Sequence, residues 1–221
     1  MPIPLTGGIR RRMTPAHSWR ALQATALVVV AGWALARYRR WHSSWGATPE
    51  EVRSPMPGDE LVPKAQFCVT RAITIAASRA EIWPWLMQVG FGRAGFYSYD
   101  LLDNLGRRSA DDVLPQWQQL GVGDIAAPMT DPPTPGTSFV IHDMQPPERL
   151  VWAKPDSTWA WRLTALNESS TRVVTRLKQH YRLAADLPLT VLLMEVGDFP
   201  MMRRMLLVLK ARAEQAARHP T

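Results

Sequence analysis

Between residues 138 and 182 four short runs, 138–144, 149–153, 158–166 and 171–182, recur at regular spacing. The links between them are Gln145-Pro146-Pro147-Glu148, Lys154-Pro155-Asp156-Ser157 and Asn167-Glu168-Ser169-Ser170. Such links have turn chemistry and are too short for a crossover helix, so the runs must form an antiparallel meander. In the third run Trp159, Trp161, Leu163 and Ala165 share one face, while Arg162 and Thr164 share the other. In the fourth, Val173, Thr175, Leu177 and Tyr181 oppose Arg172, Arg176, Lys178 and His180. One face is thus expected to be wet and the other to bury apolar bulk. The segment 187–217 that follows is rich in Leu, Val and Met. With Pro200 inside it, it predicts a broken helix whose second part, 201–217, sets Met202, Met205, Leu206, Leu209 and Ala213 against the sheet.

Upstream, 66–75 reads as a strand with Phe67, Val69, Ile73 and Ile75 on one face, and Arg71 falls on that same face. A guanidinium there is either paired with a carboxylate or serves as a handle for an acidic ligand. Thr48-Pro49-Glu50-Glu51 and Ser78-Arg79-Ala80-Glu81 both have the spacing of a capping box, so a helix is expected to start at each. Pro84 inside the second predicts a kink or a restart. Gly90-Phe91-Gly92-Arg93-Ala94-Gly95 matches G-x-G-x-x-G, but it follows a helix and no βαβ alternation surrounds it. It is therefore read as a loop needing positive φ, not as a dinucleotide site. A further helical stretch is expected at 97–105. It carries Asp100 and Asp103 three apart, a spacing that suits a solvated helix face or acid-base chemistry. The chain then reads as loop as far as Pro135, with Trp117 its one large aromatic residue.

Charge is concentrated at the N-terminus. The formal net charge is +7, and residues 1–45 contain seven arginines (Arg10, Arg11, Arg12, Arg20, Arg37, Arg39 and Arg40) with no lysine and no acidic residue. The rest of the chain is balanced, which removes the cationic surface a nucleic-acid partner would need. Between Arg20 and Arg37 lie 16 uncharged residues, about 24 Å as a helix against a hydrocarbon core of roughly 30 Å. Snorkelling arginines and the aromatic residues Trp19, Tyr38 and Trp41 make a single-pass anchor at about 19–38 the expectation, with a membrane-associated chain whose body is cytoplasmic rather than exported. A cleaved signal peptide ending at Ala34-Leu35-Ala36 and an amphipathic or core-packing helix are the alternatives. The single cysteine, Cys68, excludes an internal disulfide, a cysteine zinc cage and an iron–sulfur cluster, and it reads as a small buried strand residue. The domain plan is a basic N-terminal segment (1–44), a linker with a short helix (45–62) and a folded body (63–218).

Strand, helices, antiparallel meander and a long C-terminal helix follow the order of the helix-grip fold. Trp45-Gly46-Ala47-Thr48, Pro57-Gly58-Asp59, Thr70-Arg71-Ala72-Ile73-Thr74-Ile75, Trp83-Pro84-Trp85-Leu86 with Gln88, Gly92-Arg93-Ala94-Gly95-Phe96-Tyr97-Ser98, Gly123-Asp124 and Lys210-Ala211-Arg212-Ala213-Glu214 resemble an uncharacterised branch of the SRPBCC superfamily, which includes START-like and polyketide cyclase/dehydratase-like proteins. The resemblance covers about 45–215. It implies an α+β fold in which a curved antiparallel sheet wraps around the C-terminal helix, with an apolar ligand, lipid or polyketide held between them.

The expected function is binding of a small hydrophobic or amphiphilic molecule, with Arg71, Trp85, Tyr97, Tyr99, Trp117, His142, Trp152, Trp161 and Tyr181 as candidate ligand-binding residues. The aromatic members supply apolar faces with polar tips. A cyclase/dehydratase-like enzyme is the alternative and needs an acid or base in the cavity. His142, alternating with Val140 and Met144, is the histidine that could face inward. A membrane-tethered interaction domain without a pocket is the third reading. No catalytic residue, metal ligand or cofactor is assigned: the five histidines are scattered, and no nucleophile–base pair stands out.

Overall fold

A computed structural model describes residues 15–181 and 187–218. The chain divides into two compact units, Met1–Arg40 and Trp41–Thr221. In the first, helix α1 (Pro15–Ser43) begins, and its side chains from Leu27 to Val30, Trp33 and Leu35 are all exposed. Among the described residues no helix is long and apolar enough to cross a membrane. The single-pass anchor expected at about 19–38 is thus not supported by the described residues.

The second unit is built on a six-stranded, wholly antiparallel sheet of order β1-β6-β5-β4-β3-β2. The strands are β1 (Phe67–Ile75), β2 (Ile125–Pro128), β3 (Ser138–Gln145), β4 (Arg149–Lys154), β5 (Ser157–Asn167) and β6 (Ser170–Gln179). The last four are the expected meander, and β1 pairs with β6 from Phe67↔Gln179 to Ile75↔Thr171. Strand β2 lies in the stretch read as loop: it is only four residues long and ends on Pro128, so it offers no alternation to detect.

Helix α2 (Pro49–Arg53) is capped by Thr48 with Glu51 reciprocating, and α3 (Arg79–Met87) by Ser78 with Glu81, as the two motifs predict. α3 runs through Pro84 without ending. Gly90, Gly92 and Gly95 all have positive φ, and Gly90 and Gly95 exchange both backbone hydrogen bonds at 3.0 Å, so the glycine motif is a closed loop. The helical stretch expected at 97–105 shrinks to α4 (Asp100–Asp103), because Tyr97 and Leu105 on either side adopt left-handed backbone.

The C-terminal segment consists of α5 (Leu187–Leu192), one π-helical turn (Leu193–Gly197) and α6 (Asp198–Arg218). Pro200 does not break the helix. The π-helical turn runs straight into α6, and the wider turn lies where the proline ring would otherwise meet the carbonyl of residue 196. Met202, Met205, Leu206, Leu209 and Ala213 are buried on the inner face of the sheet, as expected.

Much of the outer face is covered rather than wet. Residues 44–62 lie over it, packing Met56 against Ala72, Val151, Ala160 and Val174. Arg172 donates from Nε and Nη2 to the two carboxylate oxygens of Glu51, at 2.8 Å each. Arg176 is buried and donates to Asp59 Oδ2 at 2.6 Å, to Thr70 Oγ1 at 2.8 Å and to the carbonyls of Glu51 and Val52. Strand alternation separates the two faces correctly, but it cannot say that a preceding segment carries matching carboxylates back over the polar one. Cys68 also departs from expectation. It lies exposed, across the ladder from Lys178.

Candidate functional site

The inner face gathers Phe139, Trp152, Trp159 and Trp161 into one ring cluster. Centroids are 5.1 Å apart for Trp152–Trp159, 5.7 Å for Trp152–Trp161, 5.3 Å for Trp159–Trp161 and 5.9 Å for Phe139–Trp159. Register explains the gathering, because Trp152 and Trp159 are direct cross-strand partners and Leu150 faces Trp161 one step along. Phe139 and Trp159 are the two members absent from the candidate ligand-binding residues, although Trp159 shares the face of Trp161 by the period of two.

A second aromatic pair, Trp85 and Tyr97, stands 6.0 Å apart in the same core. Tyr97 is fully buried with φ at 57°, an uncommon backbone for a bulky side chain, and its surroundings hold it there. Its hydroxyl donates to the Trp85 carbonyl at 3.0 Å and accepts from Gln88 Nε2 at 2.8 Å. Its backbone N–H donates to Ser109 Oγ at 3.1 Å. Burial keeps this phenol protonated by pushing its pKa well above the usual range. Arg212 on α6 lies 4.7 Å over the Tyr97 ring and donates to Asp111 at 2.8 Å. Neither periodicity nor a motif role marked Arg212, since its neighbours Leu209 and Ala213 carry the packing.

Hydrogen bonding distinguishes the members of the cluster. Trp159 Nε1 donates to Thr175 Oγ1 at 3.0 Å. Among the described residues, the indole nitrogens of Trp85, Trp152 and Trp161 are buried with no acceptor, as is Nη1 of Arg212. An unpaired buried donor costs about 1–3 kcal/mol, so several within one core are unusual. Chemically, the arrangement offers indole faces to an apolar body and N–H donors to an acceptor group.

The remaining candidates are dispersed. Arg71 is on the inner face as expected, but it is engaged: Nη1 donates to Asp198 Oδ2 at 2.6 Å, Nε donates to the His42 carbonyl at 2.9 Å, and the guanidinium lies 5.3 Å from the Phe199 ring. Burial pushes the Asp198 carboxyl upward in pKa and the adjacent guanidinium only partly offsets it. This is a clasp between β1, the start of α6 and the residue 42 backbone, with Trp41 and Trp45 edge-on to Phe199. Trp117 is half-buried beneath Arg93, 4.3 Å away, and burial lowers the pKa of that arginine to about 10. Tyr99 is exposed under Arg204. Tyr181 is half-buried beyond the end of β6, with its hydroxyl 3.4 Å from Glu195.

His142 does not face inward. Strand β3 bulges there: Ile141 pairs with Trp152 and Asp143 with Val151, so His142 is the extra residue and is exposed. The bulge shifts the alternation by one, which lets Met144 reach the inner core while His142 and Val140 do not. Of the two carboxylates of α4, Asp100 is committed to structure, accepting from Ser109 Oγ at 2.6 Å, and burial raises the pKa of Asp103.

No protein-family model matches the chain, and no curated protein matches it. Solved structures similar to it include the Aha1 dimer from Colwellia psychrerythraea, at 15% identity over 66% of this chain and 96% of that one, with a TM-score of 0.40. Others are the self-sacrificing resistance protein CalC from Micromonospora echinospora, at 14% identity, 69% and 97% coverage and a TM-score of 0.37, and a START superfamily protein from Mycobacterium smegmatis, at 14%, 67% and 98%, and 0.36. What defines the fold here is the chain's own geometry: a curved antiparallel sheet whose first and last strands pair, gripping a 21-residue C-terminal helix on its inner face, is a helix-grip arrangement.

Proposed function

We propose that the inner face of the sheet, beneath α6, binds a small amphiphilic molecule. Its apolar body lies on the rings of Trp85, Trp152 and Trp161, and an oxygen acceptor on it takes one or more of their N–H groups. The observation that carries this reading is the set of three buried indole nitrogens without an acceptor. A sheet-and-helix core that needed only packing would favour Phe or Leu at these positions, whose burial leaves no donor unpaired. The strained Tyr97 beside Trp85 is consistent with a site held in shape by its surroundings.

The test uses the full chain, stripped of bound apolar molecules, incubated with a total lipid extract and examined by native mass spectrometry. Indole N–H resonances are followed in parallel. Retention of a discrete apolar species, together with downfield movement of the Trp152 and Trp161 N–H signals, is the expected result. No retained species and unmoved indole signals would overturn the reading.

Attachment to a membrane surface is part of the same proposal. The exposed apolar side chains of α1 supply the contact area, and the arginines Arg37, Arg39 and Arg40 complement anionic headgroups. Flotation with vesicles containing anionic lipid, with and without residues 1–40, measures it. Equal flotation of the two forms would remove the tether from the reading.

A further inference from the structure

On the outer face, at the end of the sheet opposite the Lys178 row, a recess of about 560 Å³ opens among Pro55 and Pro57, Arg79 at the start of α3, Glu148 and Arg149 at the turn into β4, and Arg162 to Ala165 on β5. Three arginines and a single carboxylate line it. Two of the arginines have carboxylate partners: Arg79 donates to Glu148 at 2.7 Å and Arg149 to Asp143 at 3.0 Å. Arg162 has none among the described residues. Its one hydrogen bond is a long one, 3.4 Å from Nη1 to the Pro55 carbonyl.

Position makes this more unusual. Arg149 and Arg162 are direct cross-strand partners, so their side chains leave the same face of the sheet side by side. Like charges in that relation repel and destabilise the pair. Elsewhere on this face the basic side chains are neutralised. Arg172 meets Glu51, and Arg176 and Lys178 share Asp59. A half-buried guanidinium facing a second one across a polar recess lacks its counter-ion.

From this geometry we infer an anion site: the recess takes a phosphate group, free or as a monoester, bridged by Arg162 and Arg149, with Arg79 at its rim. A tetrahedral oxyanion offers oxygens to two guanidinium forks at once, which a lone carboxylate on the same strands would not. The sheet separates this recess from the aromatic cluster, so the inference does not rest on the inner-face ligand.

The full chain, labelled for arginine Nε–H detection, is titrated at constant ionic strength with inorganic phosphate, then with glycerol 3-phosphate, and separately with vesicles carrying phosphatidic acid. Chloride serves as the control anion. Saturable movement of the Arg162 and Arg149 signals with a phosphate-bearing probe is expected. Response to the soluble probes identifies a free phosphate or monoester, and response to vesicles alone a lipid headgroup. Arg162→Gln should weaken binding at least tenfold, and Arg162→Lys, which keeps the charge but loses the fork, by a smaller factor. Arg149→Gln gives a second, independent loss should Arg162→Gln fail to fold. Shifts that chloride reproduces, or binding that survives both glutamine variants, would overturn the site.

Discussion

The two faces of the sheet treat their polar groups in opposite ways. On the outer face, long basic side chains from β6 reach under residues 44–62 and end on carboxylates and carbonyls: Arg176 alone makes bonds to Asp59, Thr70, Glu51 and Val52. On the inner face, large aromatic side chains bury their rings and leave three indole N–H groups with no acceptor among the described residues. The same alternation of residues builds both faces, so the difference lies in what covers them. The outer cover is a loop and short helix rich in acceptors. The inner cover is α6, which sets Met202, Met205, Leu206, Leu209 and Ala213 against this core and gives its buried carboxylate, Asp198, to Arg71 instead of to an indole. The stretch of the outer face around Arg172 and Arg176, saturated by its cover, is a structural layer, whereas unsaturated groups are a surface with chemistry in reserve.

One basic residue tests whether the inner face tolerates charge at all. Arg71→Met leaves Asp198 buried without its counter-charge and should lower stability by about 3–5 kcal/mol in urea unfolding at neutral pH. Burial then acts on Asp198 without the opposing guanidinium, so its folded pKa rises further above the unfolded value. A raised folded pKa contributes stability that is fully present below the unfolded value and lost as pH climbs through the folded one. The variant should therefore regain stability on acidification, and Arg71→Met with Asp198→Asn should recover most of the loss at neutral pH. A single variant as stable as the parent at pH 7 would mean the clasp contributes nothing.

The outer face should give way more locally. Arg176→Met leaves Asp59 with only Lys178 and the Met56 N–H and strands two backbone carbonyls, but water can reach them once the cover loosens, so a loss of about 2–3 kcal/mol is expected. Hydrogen exchange should show protection falling over 49–62 while the strands at 150–161 keep theirs. Uniform loss across both regions would indicate that the cover and the sheet are one cooperative layer.

Much of this architecture is written in short-range signals. Thr48 and Glu51, or Ser78 and Glu81, declare a helix start because each pair satisfies the other's backbone donors within four residues. The meander follows from turn residues and a period of two. What stayed hidden depends on partners far away in the chain. The bulge at His142 is visible only once β4 sets the register, and the burial of Arg176 only once Asp59, 117 residues earlier, folds over it. The candidate site shows the same limit. Trp161 was legible on the apolar face of its strand, yet facing a hydroxyl does not decide whether an indole finds an acceptor: Thr175 is the cross-strand partner of Trp161, and its oxygen takes the N–H of Trp159 instead.

That contrast supplies a matched pair of substitutions. Trp159→Phe and Trp161→Phe remove the same N–H and similar area from neighbouring rings. The first breaks a hydrogen bond to Thr175 and the second removes a donor that has none. Trp159→Phe should therefore cost about 1–2 kcal/mol more than Trp161→Phe in the ligand-free protein. In ligand retention the order reverses, because only Trp161 has a donor to offer. Equal costs in unfolding would imply that the Trp161 nitrogen is already satisfied and would remove the ground for the inner-face site.

The smallest expected effect belongs to the rim of the outer cover, where Glu51 meets Arg172. The guanidinium holds the Glu51 carboxyl below the usual carboxylate range, chiefly through the hydrogen bond between them. A depressed folded pKa contributes stability that is present above the unfolded value, near 4.3, and is lost as pH falls through the folded one. Because water reaches this pair, the contribution should stay under about 1 kcal/mol and shrink with salt. Glu51→Gln should flatten that part of the acid limb of the stability curve while leaving the neutral region almost unchanged. The Arg71–Asp198 clasp carries the opposite pH sign for its carboxylate, since burial dominates there and hydrogen bonding dominates here. An acid limb unchanged by Glu51→Gln would show that the outer face draws its strength from the buried Arg176 alone, and that the saturation seen at its rim is geometric without being energetic.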